Sequence, residues 1–157
     1  MTPAYFSEIA LLPALRLLPA RMDTPAARAM CLAIALQESR LTQRRQIGGL
    51  ARSFFQCEQG GAVHGVLTHP QSKPYIRTVL ADLDYDPDAQ ENACWIAIEH
   101  NDILAAAFAR LLLWTLPDKL PRRDEPAVGW AQYVAAWRPG KPRRDTWDVF
   151  YAEAWRT

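Results

Sequence analysis

The chain has no CxxC pair, no apolar run long enough to cross a membrane, no internal repeat and no low-complexity tract. Each absence excludes a class of protein. The three cysteines, Cys31, Cys57 and Cys94, leave one over however they pair. That favours free thiols in a reducing cytoplasm over a disulfide scaffold. The most apolar stretch, ILAAAFARLLLWTL, falls short of the roughly 18 residues of a spanning helix and contains Arg110, so it reads as a buried helix and no membrane insertion is expected. The opening MTPAYFSEIALLPALRLLPARMD lacks a basic leader region and sets Glu8, Pro13, Arg16 and Pro19 within its apolar part, so no secretory signal is expected. Charge of one sign is also missing. The net charge of +1 argues against a nucleic-acid partner, and the Arg-Arg pairs at 44–45, 122–123 and 143–144 read as solvated loops. Neither GxxxxGK nor GxGxxG occurs, so no nucleotide phosphate loop is expected.

What remains is a globular composition, half hydrophobic and 22% charged, and a length of 157 residues that suits one domain, 1–157. Its signals are helical. TPAARAMCLAIALQESRL offers Thr24 as N-cap and Pro25 at the first helical position, then runs apolar nearly all round, as a helix surrounded by protein does. DPDAQENACWIAIEHNDILAAAFARLLLWT offers Asp86 as a cap, Pro87 after it and a break near Asn101. Trp130, Tyr133, Val134 and Trp137 fall on one helical face, as do Trp147, Phe150, Tyr151 and Trp155. Core packing is the expected use of these aromatics, with Trp137, beside the Arg-Pro-Gly turn, kept as a cleft residue. The exception is QIGGLARSFFQCEQGGAVHG, where two Gly pairs bracket Ser53–Cys57. The expected fold is mainly α, with a small Gly-rich β wing or hairpin there.

One acid stands out. Glu38 ends the buried helix, on the face of Ala27, Cys31, Ile34 and Leu41, just where the chain opens into the Gly-rich segment. A carboxyl group there is partly desolvated, which raises its pKa as a general acid requires. The plainer reading is a glutamate reaching water at a helix end. His64 and His69 have a spacing compatible with zinc, but no paired Cys or His pattern completes a site, so no metal or cofactor is expected.

The wider pattern favours the acid. QESRL is followed by a Gly-containing loop and then by LARSFFQ, with Gln56 eighteen residues after Glu38. This resembles the lytic transglycosylases of the goose-type lysozyme superfamily, whose Glu-Ser pair at a helix end is followed at that distance by the Gln of a G-A-x-G-L-M-Q stretch. Ala51, Phe54, Phe55 and Gln56 occupy the positions of the motif's Ala, Leu, Met and Gln, while Leu50 and Ser53 stand where Gly is usual. The family's late Tyr-Asn-Ala-Gly element, whose Tyr supports the acid, has its nearest counterpart in WRPG at Trp137–Gly140, with Tyr133 one turn earlier.

The resemblance implies a lysozyme-like domain that cleaves the β-1,4 bond between N-acetylmuramic acid and N-acetylglucosamine in peptidoglycan. Glu38 would be general acid and then base, Ser39 and Gln56 would bind substrate, and Phe54, Phe55, Tyr133 and Trp137 would wall the cleft. If water attacks instead, Glu58 is the nearest second carboxylate, with Asp82, Asp84 and Asp86 behind it. The implied partner is the glycan strand. The implied setting is phage-encoded, made in the host cytoplasm and acting on the wall after holin release or from the virion, where phage proteins would be partners. An inactive lysozyme-like module of a phage particle and a helical protein-binding adaptor are the alternatives.

Overall fold

The computed structural model covers all of Met1–Thr157. Its elements are almost entirely helical. Helix α1 is formed by Pro3–Phe6, Ser7–Leu11 and Leu12–Arg16 in unbroken succession. Its middle segment has π-type hydrogen bonds, directly before Pro13, whose missing N–H and bulky ring cannot continue an α ladder. A short 3₁₀ turn, Ala20–Met22, leads into α2, Pro25–Ser39. There the Thr24 hydroxyl caps the Ala27 N–H at 3.1 Å and Pro25 starts the helix, as the sequence suggests. Helix α3 joins a π-type turn, Gln59–Val63, to His64–Thr68; α4 is Lys73–Asp82 and α5 is Glu91–His100. Helix α6 is Asp102–Trp114, α7 is Pro126–Trp137 and α8 is Arg144–Ala154.

The break expected near Asn101 is present: its side chain caps the Leu104 N–H at 3.0 Å and starts α6. The cap expected at Asp86 is not. Asp86 closes a turn, receiving the Asp88 N–H at 2.9 Å, and α5 begins only at Glu91. The expected β wing is not a sheet either. Segment 44–57 holds only isolated bridges, Arg45 with Arg52 and Arg52 with Cys57. Arg52 and Cys57 exchange both backbone hydrogen bonds around a tight turn, but Ser53 and Gln56 are left-handed within it and Glu58 already leads into α3. No ladder can extend from one residue pair.

A single contiguous core runs from Phe6 to Ala154. Helices α2 and α6 supply its centre: Ala29–Leu36 and Leu104–Leu113 are buried without a break, Arg110 among them. Arg110 lies in the core because its Nε donates to the Met22 carbonyl at 2.8 Å and its guanidinium packs 5.1 Å from the Trp114 ring. All three cysteines are buried and unpaired. Burial pushes the thiols of Cys31 and Cys57 up to about 12, so they pack as small apolar groups. No helix is long and apolar enough to cross a membrane.

Candidate active site

Helix α2 ends abruptly. Arg40 and Leu41 take successive left-handed conformations at φ 51° and 55°, although neither is glycine. Ser39 makes the stop possible. Its hydroxyl donates to the Phe54 carbonyl at 2.8 Å, and its oxygen accepts the Leu41 N–H at 3.2 Å. The last helical turn is thereby tied to the 53–56 turn, and Glu38 is held one residue before the stop.

Glu38 is half-buried and faces a cleft of about 1270 Å³. Tyr133, on α7, places its hydroxyl 2.5 Å from Glu38 Oε1. The phenol is fixed from behind: it stacks on Trp147 with centroids 5.3 Å apart and planes 11° apart, and Trp130 lies 5.3 Å away on a tilted plane. The Trp147 indole N–H is in turn held by the Pro126 carbonyl at 2.8 Å. Burial, and then the negative charge of Glu38, push the phenol well above the ordinary tyrosine range, so it is a permanent donor.

The carboxyl group is raised to about 7, first by desolvation; the Tyr133 hydrogen bond pulls it down and the Glu58 charge pushes it up again. The C-terminal end of α2 carries partial negative charge of the same sign. A carboxyl group in that state can hold a proton near neutrality and release it to a leaving oxygen.

The other residues singled out in the sequence divide. Gln56 lines the cleft, half-buried, at φ 48°, with its amide N–H on the Ser53 carbonyl at 2.7 Å. Glu58 lines the cleft and is exposed. Trp137 lines it too, yet its indole N–H is spent on the Phe55 carbonyl at 2.8 Å. Trp137 and Ser39 thus act as two clamps on neighbouring carbonyls of one turn. Phe54 and Phe55 are not cleft walls. Both rings are buried in the core against Phe6, at 5.6 and 5.9 Å, because two benzyl groups gain more by leaving water than by lining a wet groove. Asp82, Asp84 and Asp86 do not line the cleft.

Ser53 occupies the position where the transglycosylase motif has glycine, and it adopts the glycine-like φ of 67°. Its hydroxyl accepts the Phe55 N–H at 3.2 Å, which supports a conformation that costs an L-residue roughly 1–2 kcal/mol. Of the six non-glycine residues with positive φ, only Asp84 lies elsewhere; Arg40, Leu41, Ser53, Gln56 and Arg138 all sit on segments bordering the cleft. Such clustering of backbone strain is typical of functional sites.

No three His, Cys, Asp or Glu side chains gather as a metal cluster. His64 Nδ1 lies 2.5 Å from Glu91, and His69 Nδ1 accepts the Gln71 N–H at 3.1 Å. Sequence reasoning passed over several cleft residues. Gln37 spans α2 and the start of α8, donating to the Arg143 carbonyl at 2.8 Å and accepting from Thr146 at 3.1 Å. Arg40, Arg138 and Lys141 also line the cleft; the cation-rich RPGKPRR run was the only signal for the last two, and Arg40 had none. Compared with known proteins, the chain matches no family model, no curated protein and no solved structure.

Proposed function

We propose that this chain is a lysozyme-like enzyme that cleaves the β-1,4 MurNAc–GlcNAc bond of peptidoglycan, with Glu38 as its general acid. The observation that carries the reading is Glu38 itself: a carboxyl group raised to about 7 at the floor of an open polar cleft, with the Tyr133 hydroxyl at 2.5 Å. The cleft suits a sugar chain, since Gln37, Thr42, Gln43, Gln46 and Thr115 offer amides and hydroxyls to its substituents. The Ser39 and Gln56 spacing supports the same family.

In the reaction, Glu38 gives its proton to the bridging oxygen as the bond to the muramoyl anomeric carbon breaks. The resulting carboxylate then accepts the proton of the muramoyl 6-hydroxyl, whose oxygen closes on that carbon to leave a 1,6-anhydro ring. One carboxyl group serves both steps, because the nucleophile is already held in the cleft. A second reading is hydrolysis, favoured by Glu58, which lines the same cleft and whose charge is felt at Glu38. The phage setting, in lysis or in a virion, belongs to the same proposal.

Digestion of purified sacculi followed by mass spectrometry tests the chemistry. Single-acid cleavage gives muropeptides ending in 1,6-anhydromuramic acid, lighter by one water than hydrolysed ones. Reducing ends alone would assign the second step to water, and Glu58→Gln would then abolish it.

A further inference from the structure

The turn at residues 53–56 supports both halves of the acid pair. Its Phe54 carbonyl takes the hydroxyl of Ser39, next to Glu38, and its Phe55 carbonyl takes the indole N–H of Trp137, one turn after Tyr133 on α7. Ser53 and Gln56 are left-handed within it, and such strain persists only where the surroundings over-determine the backbone. The turn is closed by Arg52 and Cys57, which exchange backbone hydrogen bonds at 3.0 and 2.8 Å. What fixes that closure lies outside the cleft.

Arg52 reaches away from the cleft to α5. Its guanidinium forms an ion pair with Glu99 and packs 3.7 Å from the centre of the Trp95 ring. Glu99 and Trp95 stand one turn apart on the same face of the helix. The Trp95 indole N–H also holds the Leu50 carbonyl at 2.9 Å, so α5 grips the chain on both sides of Ala51. None of Arg52, Trp95 and Glu99 lines the cleft. Stability alone explains this arrangement poorly. The Arg52 and Glu99 side chains are only 11% and 13% exposed, and a pair so far from water gives up about as much hydration as it regains in attraction. Arg52 Nε is, in addition, buried without a partner. What the planar guanidinium supplies is direction, held flat by the indole face and in reach by the carboxylate.

We propose that Arg52 is a positioning residue: clamped to Glu99 and Trp95, it holds the strained 53–56 turn against α5 and so keeps Glu38 and Tyr133 in register. This rests on the glycan-cleaving reading above and adds to it a residue that stands clear of the substrate. The chain of contacts is continuous, from Glu99 through Arg52 and the turn to Ser39 on one branch and Trp137 on the other. Arg44 steadies the same turn from a second side, its carbonyl accepting the Ser53 N–H at 2.7 Å and its guanidinium paired with Asp102 at 2.7 Å. Freed at Arg52, the turn relaxes and water reaches the floor of the cleft. Burial is the main cause of the raised value of Glu38, so the carboxyl group then moves back toward its ordinary range.

Two readouts separate the clamp from the reaction. The first is the titration of Glu38, followed by NMR of protein isotope-labelled at its glutamate carboxyl carbons, with Glu38→Gln to assign the signal. Arg52→Gln should lower the Glu38 midpoint by about one pH unit or more. Arg52→Lys, which keeps the charge for Glu99 but not the stacked plane, should fall between that variant and the wild type. Ile98→Val loosens the buried side of α5 without touching the turn and should leave the midpoint in place. The second readout is kinetics on soluble glycan strands, where Arg52→Gln should lose roughly tenfold to a hundredfold in kcat with KM within about twofold, as for a misplaced acid. A midpoint unchanged or raised in folded Arg52→Gln, or in Arg52→Lys where the former does not fold, overturns the inference. An equal fall in Ile98→Val, or a loss confined to KM, also overturns it. A lowered midpoint in a protein whose wild type releases nothing from sacculi upholds the clamp and overturns the cleavage reading.

Discussion

At the scale of a residue, Glu38 is held where its own charge is unwelcome. Burial opposes ionisation, the end of α2 opposes it, and Glu58 opposes it, while Tyr133 alone favours it. Under the proposed function Glu38 is a general acid that works below its pKa, so kcat/KM on soluble glycan should fall about tenfold per pH unit above about 7. Tyr133→Phe deletes the one contact that stabilises the carboxylate, so the alkaline limb should move to higher pH. A limb moved to lower pH would mean that the tyrosine stabilises the protonated acid instead. Stability carries the same signature. A folded pKa near 7 against an ordinary 4.5 means that the folded state holds the proton more tightly. The Glu38 contribution to wild-type stability is therefore greatest below 4.5, declines as pH rises toward 7 and stays at the lower level above it. The loss is of order 2–3 kcal/mol at most, since Glu38 keeps some contact with water. Denaturation of Glu38→Gln across pH 4–8 should lack this decline, and the variant should exceed the wild type in stability at pH 8.

At the scale of elements, the site depends on two helices that stop and two that approach closely. Gly129 in α7 sits where a Cβ would come within 2.9 Å of the Tyr151 ring, 3.2 Å of the Met30 sulfur and 3.2 Å of Trp147. Gly129→Ala gains about 1 kcal/mol of helix propensity, but overpacking a buried contact among rings costs typically 1–3 kcal/mol. The variant should lose about 1 kcal/mol in urea denaturation. Because Trp147 backs Tyr133, its pH–rate profile should also shift; a variant as stable as the wild type would show that α7 and α8 have room to separate. The legible elements were those whose signals are local. Thr24–Pro25, the Asn101 break and the aromatic stripes each announce themselves within a few residues, and the helices form there. Asp86–Pro87 mimics a helix start yet makes a turn, since Asp86 spends its side chain on the Asp88 N–H. Helix α1 was hidden by Pro13, which a π-type stretch accommodates. The wing read as β because its Gly pairs and aromatics suit a hairpin, whereas the strain fell on Ser53 and Gln56, of which only Ser53, standing where the resembled motif has Gly, gives a sign of it in sequence.

At the scale of the whole molecule, the mainly helical fold was legible in the sequence and Glu38 stood out there, but the cleft did not. Glu38 was visible because a lone carboxylate closing an apolar helix is costly and so informative. Tyr133 was placed near the acid only as a wall residue; its hydrogen bond joins positions 95 residues apart, which no spacing encodes. Phe54 and Phe55 were misjudged because an aromatic pair beside a site looks the same whether it faces sugar or core. Arg40, Arg138 and Lys141 were passed over because Arg40 and the 138–143 segment meet only in three dimensions. The account turns on whether Glu38 delivers the proton. The most direct measurement is the rate at which purified sacculi release soluble muropeptides with wild-type protein and with Glu38→Gln, both shown to be folded by circular dichroism. General acid catalysis of this kind contributes about 10²–10⁴-fold, so the variant should lose at least a hundredfold in rate. Release by Glu38→Gln at the wild-type rate, or none by the wild type, would contradict the account.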